Sequence, residues 1–222
     1  GTYAYYQDSV TVSNHISTGD VNIGIQEYEK DGDSEKSYQG PADGIVLPSQ
    51  TVSKIPRITN YAETCYIRVK TTYTSEAPEP TATVEGDAEV PDVDHDSEAE
   101  PETEYILSDE ELAGISDAWV QHGEYYYYTQ PLKNGESADF FQSVTIPSVW
   151  SSKASDRELG LTVTAEAVQA ANFTPNFDSE SPWGDTEIEQ CVHETDNSVT
   201  EVTQKYTAMS VTYEGAARNL VA

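Results

Sequence analysis

The side chains best suited to metal or nucleophilic chemistry are four histidines, His15, His95, His122 and His193, and two cysteines, Cys65 and Cys191. Zinc hydrolysis needs about three ligands fixed in space, commonly two histidines one turn apart on a helix with a glutamate base between them. The histidines here are far apart, and His193-Glu194 runs on into TDNSV, so they are expected in turns and at the surface. No Gly-x-Ser-x-Gly elbow, phosphate-binding loop, GxGxxG or CxxC occurs. The expectation is therefore a protein that is not an enzyme, with no catalytic residues and no cofactor. A cysteine nucleophile needs a histidine partner in space. Cys65 lies on the apolar side of CYIRVK, which favours a buried thiol or a disulfide to Cys191, with an intersubunit bridge as the remaining alternative. An unstrained bridge of that span would contribute about 4–5 kcal/mol in the chain-entropy view.

Two acidic runs alternate in the manner of calcium ligands: Asp92, Asp94, Asp96 and Glu98, and more weakly Asp31, Asp33 and Glu35. Neither contains a glycine-centred calcium loop, so they are weak cation candidates inside what reads as solvated acidic chain. Tyr125, Tyr126, Tyr127 and Tyr128 offer aromatic faces on which a sugar could stack. Strand alternation, however, sends two of them to each side, towards a core or an interface. Asn172-Phe173-Thr174 is a formal glycosylation sequon, and Trp119, Trp150 and Trp183 read as core or rim packing.

The elements that must position these residues are strands. The 222 residues are rich in Tyr (15), Val and Thr, with a single Met, which favours strands over helices. Residues 159–167 alternate Leu159, Leu161, Val163, Ala165 and Ala167 with Thr162, Thr164 and Glu166, the pattern of a half-buried strand. Similar alternation runs through Val21, Ile23 and Ile25, through Cys65, Ile67 and Val69, and through Ala138, Phe140, Val144 and Ile146. WVQHGEYYYYT (119–129) predicts a hairpin, residues 199–213 at least one more strand, residues 28–43 a long surface loop, and DEELAGI (109–115) about two helical turns. Many short strands between Gly, Pro and Asn punctuation predict an all-β, jelly-roll-like antiparallel β-sandwich.

Charge is unevenly spread. Asp and Glu number 40 against 11 Lys and Arg, a formal charge of −29 that repels nucleic-acid phosphates. Residues 71–132 contain no Lys or Arg and hold 17 of the 40 acids. Within them residues 76–104 are rich in Pro and acid and lack large apolar side chains, so they are expected as a solvated, flexible insertion. No stretch approaches the roughly 18 apolar residues of a membrane span. The division expected is an amino-terminal strand over 1–14 and a single sandwich domain over 15–222 carrying the insertion.

That first strand is the unusual part. GTYAYYQDSVTVSN places Ala4, Tyr6, Val10 and Val12 on one face and Tyr3, Tyr5, Ser9 and Thr11 on the other. It is able to complete its own sheet or to leave and complete a neighbour's. The opening GTYAYYQDSVTVSNHISTGDVNIGIQEYE is followed in order by VLPSQTVSKIPRITNYAETCYIRVKTTY, YYYYTQPLKNGESADFFQSVTIPS and LGLTVTAEAVQAANF. This succession resembles the TasA/camelysin family, secreted biofilm-matrix fibre proteins of Gram-positive bacteria. The resemblance implies a jelly-roll domain, export behind a cleaved signal peptide, and an extracellular-matrix or cell-surface location. It also implies head-to-tail polymerisation of identical subunits by donation of residues 2–12, in which Tyr3, Ala4, Tyr5, Tyr6, Val10 and Val12 would fill the next subunit's groove. The partners implied are other copies of the chain, with room for an accessory fibre-assembly protein; from charge and hydropathy, no nucleic acid is expected and no membrane span. A start at Gly1 without an apolar leader fits a processed secreted chain. The rival expectations are a monomeric surface adhesin or glycan-binding jelly roll and, third, a camelysin-type metallopeptidase. The acidic insertion and the two cysteines depart from the family pattern.

Overall fold

The computed structural model describes residues 7–10, 21–78, 104–184, 187–190, 192–195, 198–201 and 205–213. Its strands are β1 (Gln7–Val10), β2 (Ile23–Asp31), β3 (Ser34–Ser37), β4 (Ile45–Val46), β5 (Thr51–Ser53), β6 (Ile55–Asn60), β7 (Cys65–Glu76), β8 (Leu112–Ala113) and β9 (Trp119–His122). They continue as β10 (Tyr125–Tyr128), β11 (Ser137–Asp139), β12 (Ser143–Thr145), β13 (Arg157–Gln169), β14 (Glu187–Gln190), β15 (Val192–Thr195), β16 (Ser198–Glu201) and β17 (Lys205–Tyr213). Helical structure among the described residues is limited to single 3₁₀ turns.

The expected all-β antiparallel sandwich is what forms. The largest sheet has eight strands: β14-β1-β13-β7-β10-β9 in order, with β17 joined to β13 and β4 joined to β17. Facing it are a four-stranded sheet, β11-β6-β2-β3, and a three-stranded one, β5-β12-β8. One core joins the layers: Ile67, Leu159 and Leu161 of the large sheet pack with Ile23 and Ile58 of the second and Val144 of the third. Phe140, buried between the rings of Trp119, Tyr126 and Phe141, lies at its centre. The apolar alternation behind this core is that of one face per strand turned inward.

Three sequence expectations need correction. Residues 28–43 are not simply a loop, because β2 turns through Gly32-Asp33 into β3, pairing Asp31 with Ser34 and Lys30 with Glu35. Gly32 takes the positive φ of +62° that the tight turn needs. All of β3 is exposed, so no apolar alternation marks it. Residues 109–115 form one 3₁₀ turn, Asp109–Glu111, not two helical turns. Ser108 caps it reciprocally with Glu111, and Leu112 then extends into β8. The turn ends at Leu112, whose backbone is already extended (φ −83°, ψ 137°), and at Gly114 the chain adopts φ +89°, where a Cβ would come within 2.4 Å of the Gln142 side chain. Ala138, Phe140, Val144 and Ile146 are all buried, but they do not share one strand: Ala138 is in β11 and Val144 in β12, strands of different sheets, and Phe140 and Ile146 each lie just past the end of one.

The hairpin at 119–129 forms as expected, with Tyr125 opposite His122 and Gly123-Glu124 as its turn. The strand at 159–167 is longer than its pattern, running from Arg157 to Gln169. On either side of residues 79–103, which lie outside the described residues, Ser75 Oγ donates to the carbonyl of Tyr105 at 2.5 Å, Arg157 Nε donates to Ser75 Oγ at 2.9 Å, and the Tyr105 ring stands edge-on to Trp150. No helix among the described residues is long and apolar enough to cross a membrane.

Candidate functional site

β13 is the strand on which the chain's two ends converge. β7 pairs with it along twelve positions, from Glu158 opposite Glu76 to Gln169 opposite Cys65. Its other edge is divided. β17 covers Arg157 to Thr164 and ends there with Lys205. The next stretch is taken by β1, which runs parallel and sets Gln7 opposite Glu166 and Asp8 opposite Ala167. β14 closes the far side of β1, from Gln7 opposite Gln190 to Val10 opposite Glu187. The amino-terminal strand thus lies in a slot, holding β13 through two register positions of the less stable parallel kind.

The floor of that slot is buried on both faces. Ala165 and Ala167 face the main core beside Cys65, Ile67 and Val69. Val168 faces a second cluster with Tyr127 and Trp183, packed by Tyr66, Phe173 and Phe177. Glu166, which alternation assigns to a half-exposed face, is 2% exposed. The cause is the strap of residues 170–184, which lays Phe173, Phe177 and Trp183 over the outer face. His122 Nε2 lies 2.9 Å from the carbonyl oxygen of Phe177, tying the strap to the β9–β10 hairpin.

A charge pair is enclosed there. Arg68 Nε donates to Glu166 Oε2 at 2.6 Å, and the Tyr125 hydroxyl donates to Glu166 Oε1 at 3.2 Å. The guanidinium lies 3.9 Å from the Tyr125 ring centroid and 4.5 Å from that of Trp183, a cation–π enclosure. Burial foremost, then the Glu166 charge, pushes the Tyr125 phenol up to about 12, with Arg68 opposing. Trp183 Nε1 is buried without a hydrogen-bond partner among the described residues. The arrangement orients β7 and β13 and excludes water. It contains no nucleophile beside a base.

A second constellation centres on Asp109. Its carboxylate accepts hydrogen bonds from Thr71 Oγ1 at 2.6 Å, Tyr73 at 2.5 Å and Tyr126 at 2.8 Å. Burial and the bond to Asp109 push both phenols well above their ordinary range. An open depression of about 440 Å³ lies over it, bordered by Ser108, Glu110 and Glu124.

Of the residues singled out by sequence, Val10 is placed in β1. Tyr3, Ala4, Tyr5, Tyr6 and Val12 lie outside the described residues, as do Asp92, Asp94, Asp96, Glu98, His15 and His95. Cys65 is a fully buried thiol whose pKa burial pushes up to about 12, and Cys191 lies outside the described residues. Glu35 of the weaker acidic run is engaged by Arg57 at 2.9 Å. No group of three or more His, Cys, Asp or Glu arranged to hold a metal occurs among the described residues. Tyr126 and Tyr128 face the main core and Tyr125 and Tyr127 the second cluster, as alternation predicts. Arg68, Glu166 and Trp183 as a unit were not legible. The only sequence signal is an arginine and a glutamate at polar positions of two strong strands.

No protein-family model, curated protein or solved structure matches the chain.

Proposed function

We propose that this chain is a secreted structural subunit of the TasA/camelysin kind, a jelly roll that polymerises head to tail into extracellular matrix filaments by donating residues 2–12 to the next subunit. The observation that supports this most directly is the slot on β13. Its edge is left open by β17 beyond Thr164, its floor is buried on both faces, and a strand from the amino terminus occupies it through two parallel positions. An unfilled slot would leave backbone donors and acceptors of β13 unpaired, and a strand from any copy satisfies them. Because donor and acceptor surfaces differ, such a contact propagates as an open filament.

One observation favours the rival reading of a monomeric adhesin: β1 occupies a place in its own chain's sheet. Negative-stain electron microscopy of the full chain beside a variant lacking residues 1–12 separates the two. Filaments from the full chain and single particles from the deletion are expected. Filaments that persist in the deletion would overturn strand donation, and single particles from both would favour the adhesin.

A further inference from the structure

Lys54 stands at the corner where the chain leaves β5 for β6, strands of two different sheets. Its backbone N–H donates to the carbonyl of Gln142 at 3.0 Å, fixing the corner. Its side chain turns inward and is 0% exposed. The Nζ atom contacts the carboxylate of Glu27 on β2, whose side chain is 8% exposed, and lies 3.4 Å from the centroid of the Tyr38 ring. Beyond these two contacts it has no hydrogen-bond partner among the described residues.

That environment fits an ammonium poorly. A lysine head carries three N–H donors, and buried donors are nearly always satisfied. One carboxylate and one ring face under-provide for three donors, whereas an acylated nitrogen has a single N–H, which a ring face can accept. Burial also favours the uncharged forms of both partners, and it pulls Lys54 down to about 8 although Glu27 and Glu29 act in the opposite sense.

We propose that Lys54 and Glu27 become joined after folding by an intramolecular amide bond between Nζ and Cδ. A proton passes from the ammonium to the Glu27 carboxylate, leaving an amine and a carboxylic acid. The amine lone pair adds to Cδ, one Cδ–O bond breaks, and that oxygen departs as water with two of the three ammonium protons. The third proton stays on the amide nitrogen. The change is a condensation without oxidation or reduction, so no co-reactant is needed. Fixed contact between the reacting groups supplies the high effective concentration that such a step requires. The product would bolt β2 to the β5–β6 corner.

The test is the intact mass of the purified full chain, fully reduced and denatured, followed by tryptic peptide mapping. The expected mass is lower than that of the sequence by one water. Lys54 should resist trypsin, so that the peptide ending at Lys30 emerges covalently attached to residues 37–57. The variants Lys54→Arg and Glu27→Ala should each have their full mass. A native chain at full sequence mass with a free peptide ending at Lys54 would overturn the proposal. So would loss of water that survives in Lys54→Arg, or a crosslink mapping elsewhere.

Discussion

The enclosed Arg68–Glu166 pair makes a quantitative prediction for the substitution Glu166→Gln. It keeps the side-chain shape and removes the charge from a carboxylate 2.6 Å from Arg68 Nε. At an effective dielectric of about 20 and a separation near 3 Å the lost attraction is about 5–6 kcal/mol before desolvation. The guanidinium cannot escape by releasing its proton. Glu166 and Arg68 side chains are 3% and 12% exposed, and removing one partner of a buried pair costs about 3–5 kcal/mol. The natural control is Arg57–Asp139, where Arg57 Nε also lies 2.6 Å from a carboxylate oxygen but the side chains are 25% and 31% exposed. Asp139→Asn should therefore cost about 1 kcal/mol. Equilibrium urea unfolding, followed by circular dichroism and tryptophan fluorescence together, measures both. Glu166→Gln should also lower Tm by roughly 6–20 °C. The double variant Arg68→Met with Glu166→Leu should recover most of the loss, because the uncompensated charge is gone. Equal costs for Glu166→Gln and Asp139→Asn would refute the argument that burial, not distance, sets the strength of these pairs.

Alkaline pH should reveal the enclosed phenols. Tyr38 and Tyr125 are pushed to about 12 and Tyr73 and Tyr126 further, chiefly by burial, against about 10 for an ordinary tyrosine. Folded values above unfolded ones give stability that is intact below pH ~10 and lost as pH rises through ~12. The urea midpoint should fall over that interval, and tyrosinate absorbance should rise in two phases, the later one accompanying unfolding. A single phase near pH 10 with the sheets intact would contradict the burial. Cys65, its thiol raised to about 12 by burial, should resist iodoacetamide at pH ~8 in the folded chain and react in urea. Alkylation of Cys65 in the folded chain would contradict its place in the core.

Where one face of a strand met the core and the other met water, the fold could be read from alternation alone. Leu159, Leu161, Val163, Ala165 and Ala167 lie on the buried face of β13, and Cys65, Ile67 and Val69 on that of β7. Reading failed where that contrast vanishes. β3 is exposed on both faces, so its hairpin resembled a loop. The end of β13 is buried on both faces, so Glu166 looked like an outward residue. Its burial depends on Arg68, directly opposite it on the neighbouring β7 but far away in sequence, and on Trp183 from the strap, a tertiary arrangement that leaves no local trace. Nothing in SQTVSKIP marks Lys54 as buried, since Glu27 and Tyr38 reach it only when the sheets pack. In DEELAGI, Leu112 and Ile115 fit a helical spacing, but Leu112 is already extended and pairs in β8.

The hydrogen bond between Ser75 Oγ and the Tyr105 carbonyl has a consequence for the acidic segment between them. It joins the two ends of the segment at its base, and Arg157 and Trp150 brace that base from the sandwich. The two points at which this segment leaves and rejoins the sandwich are therefore held together by described side chains of the sandwich itself. Doubling the length of a closed flexible loop costs only about 0.6 kcal/mol, so with the ends already joined a change in the number of residues between them is expected to add little closure cost. Residues 78–104 hold 11 of the 40 acids. The Ser75–Tyr105 anchor, with Arg157 and Trp150 behind it, is thus the feature to preserve when a foreign peptide is spliced in between those two points.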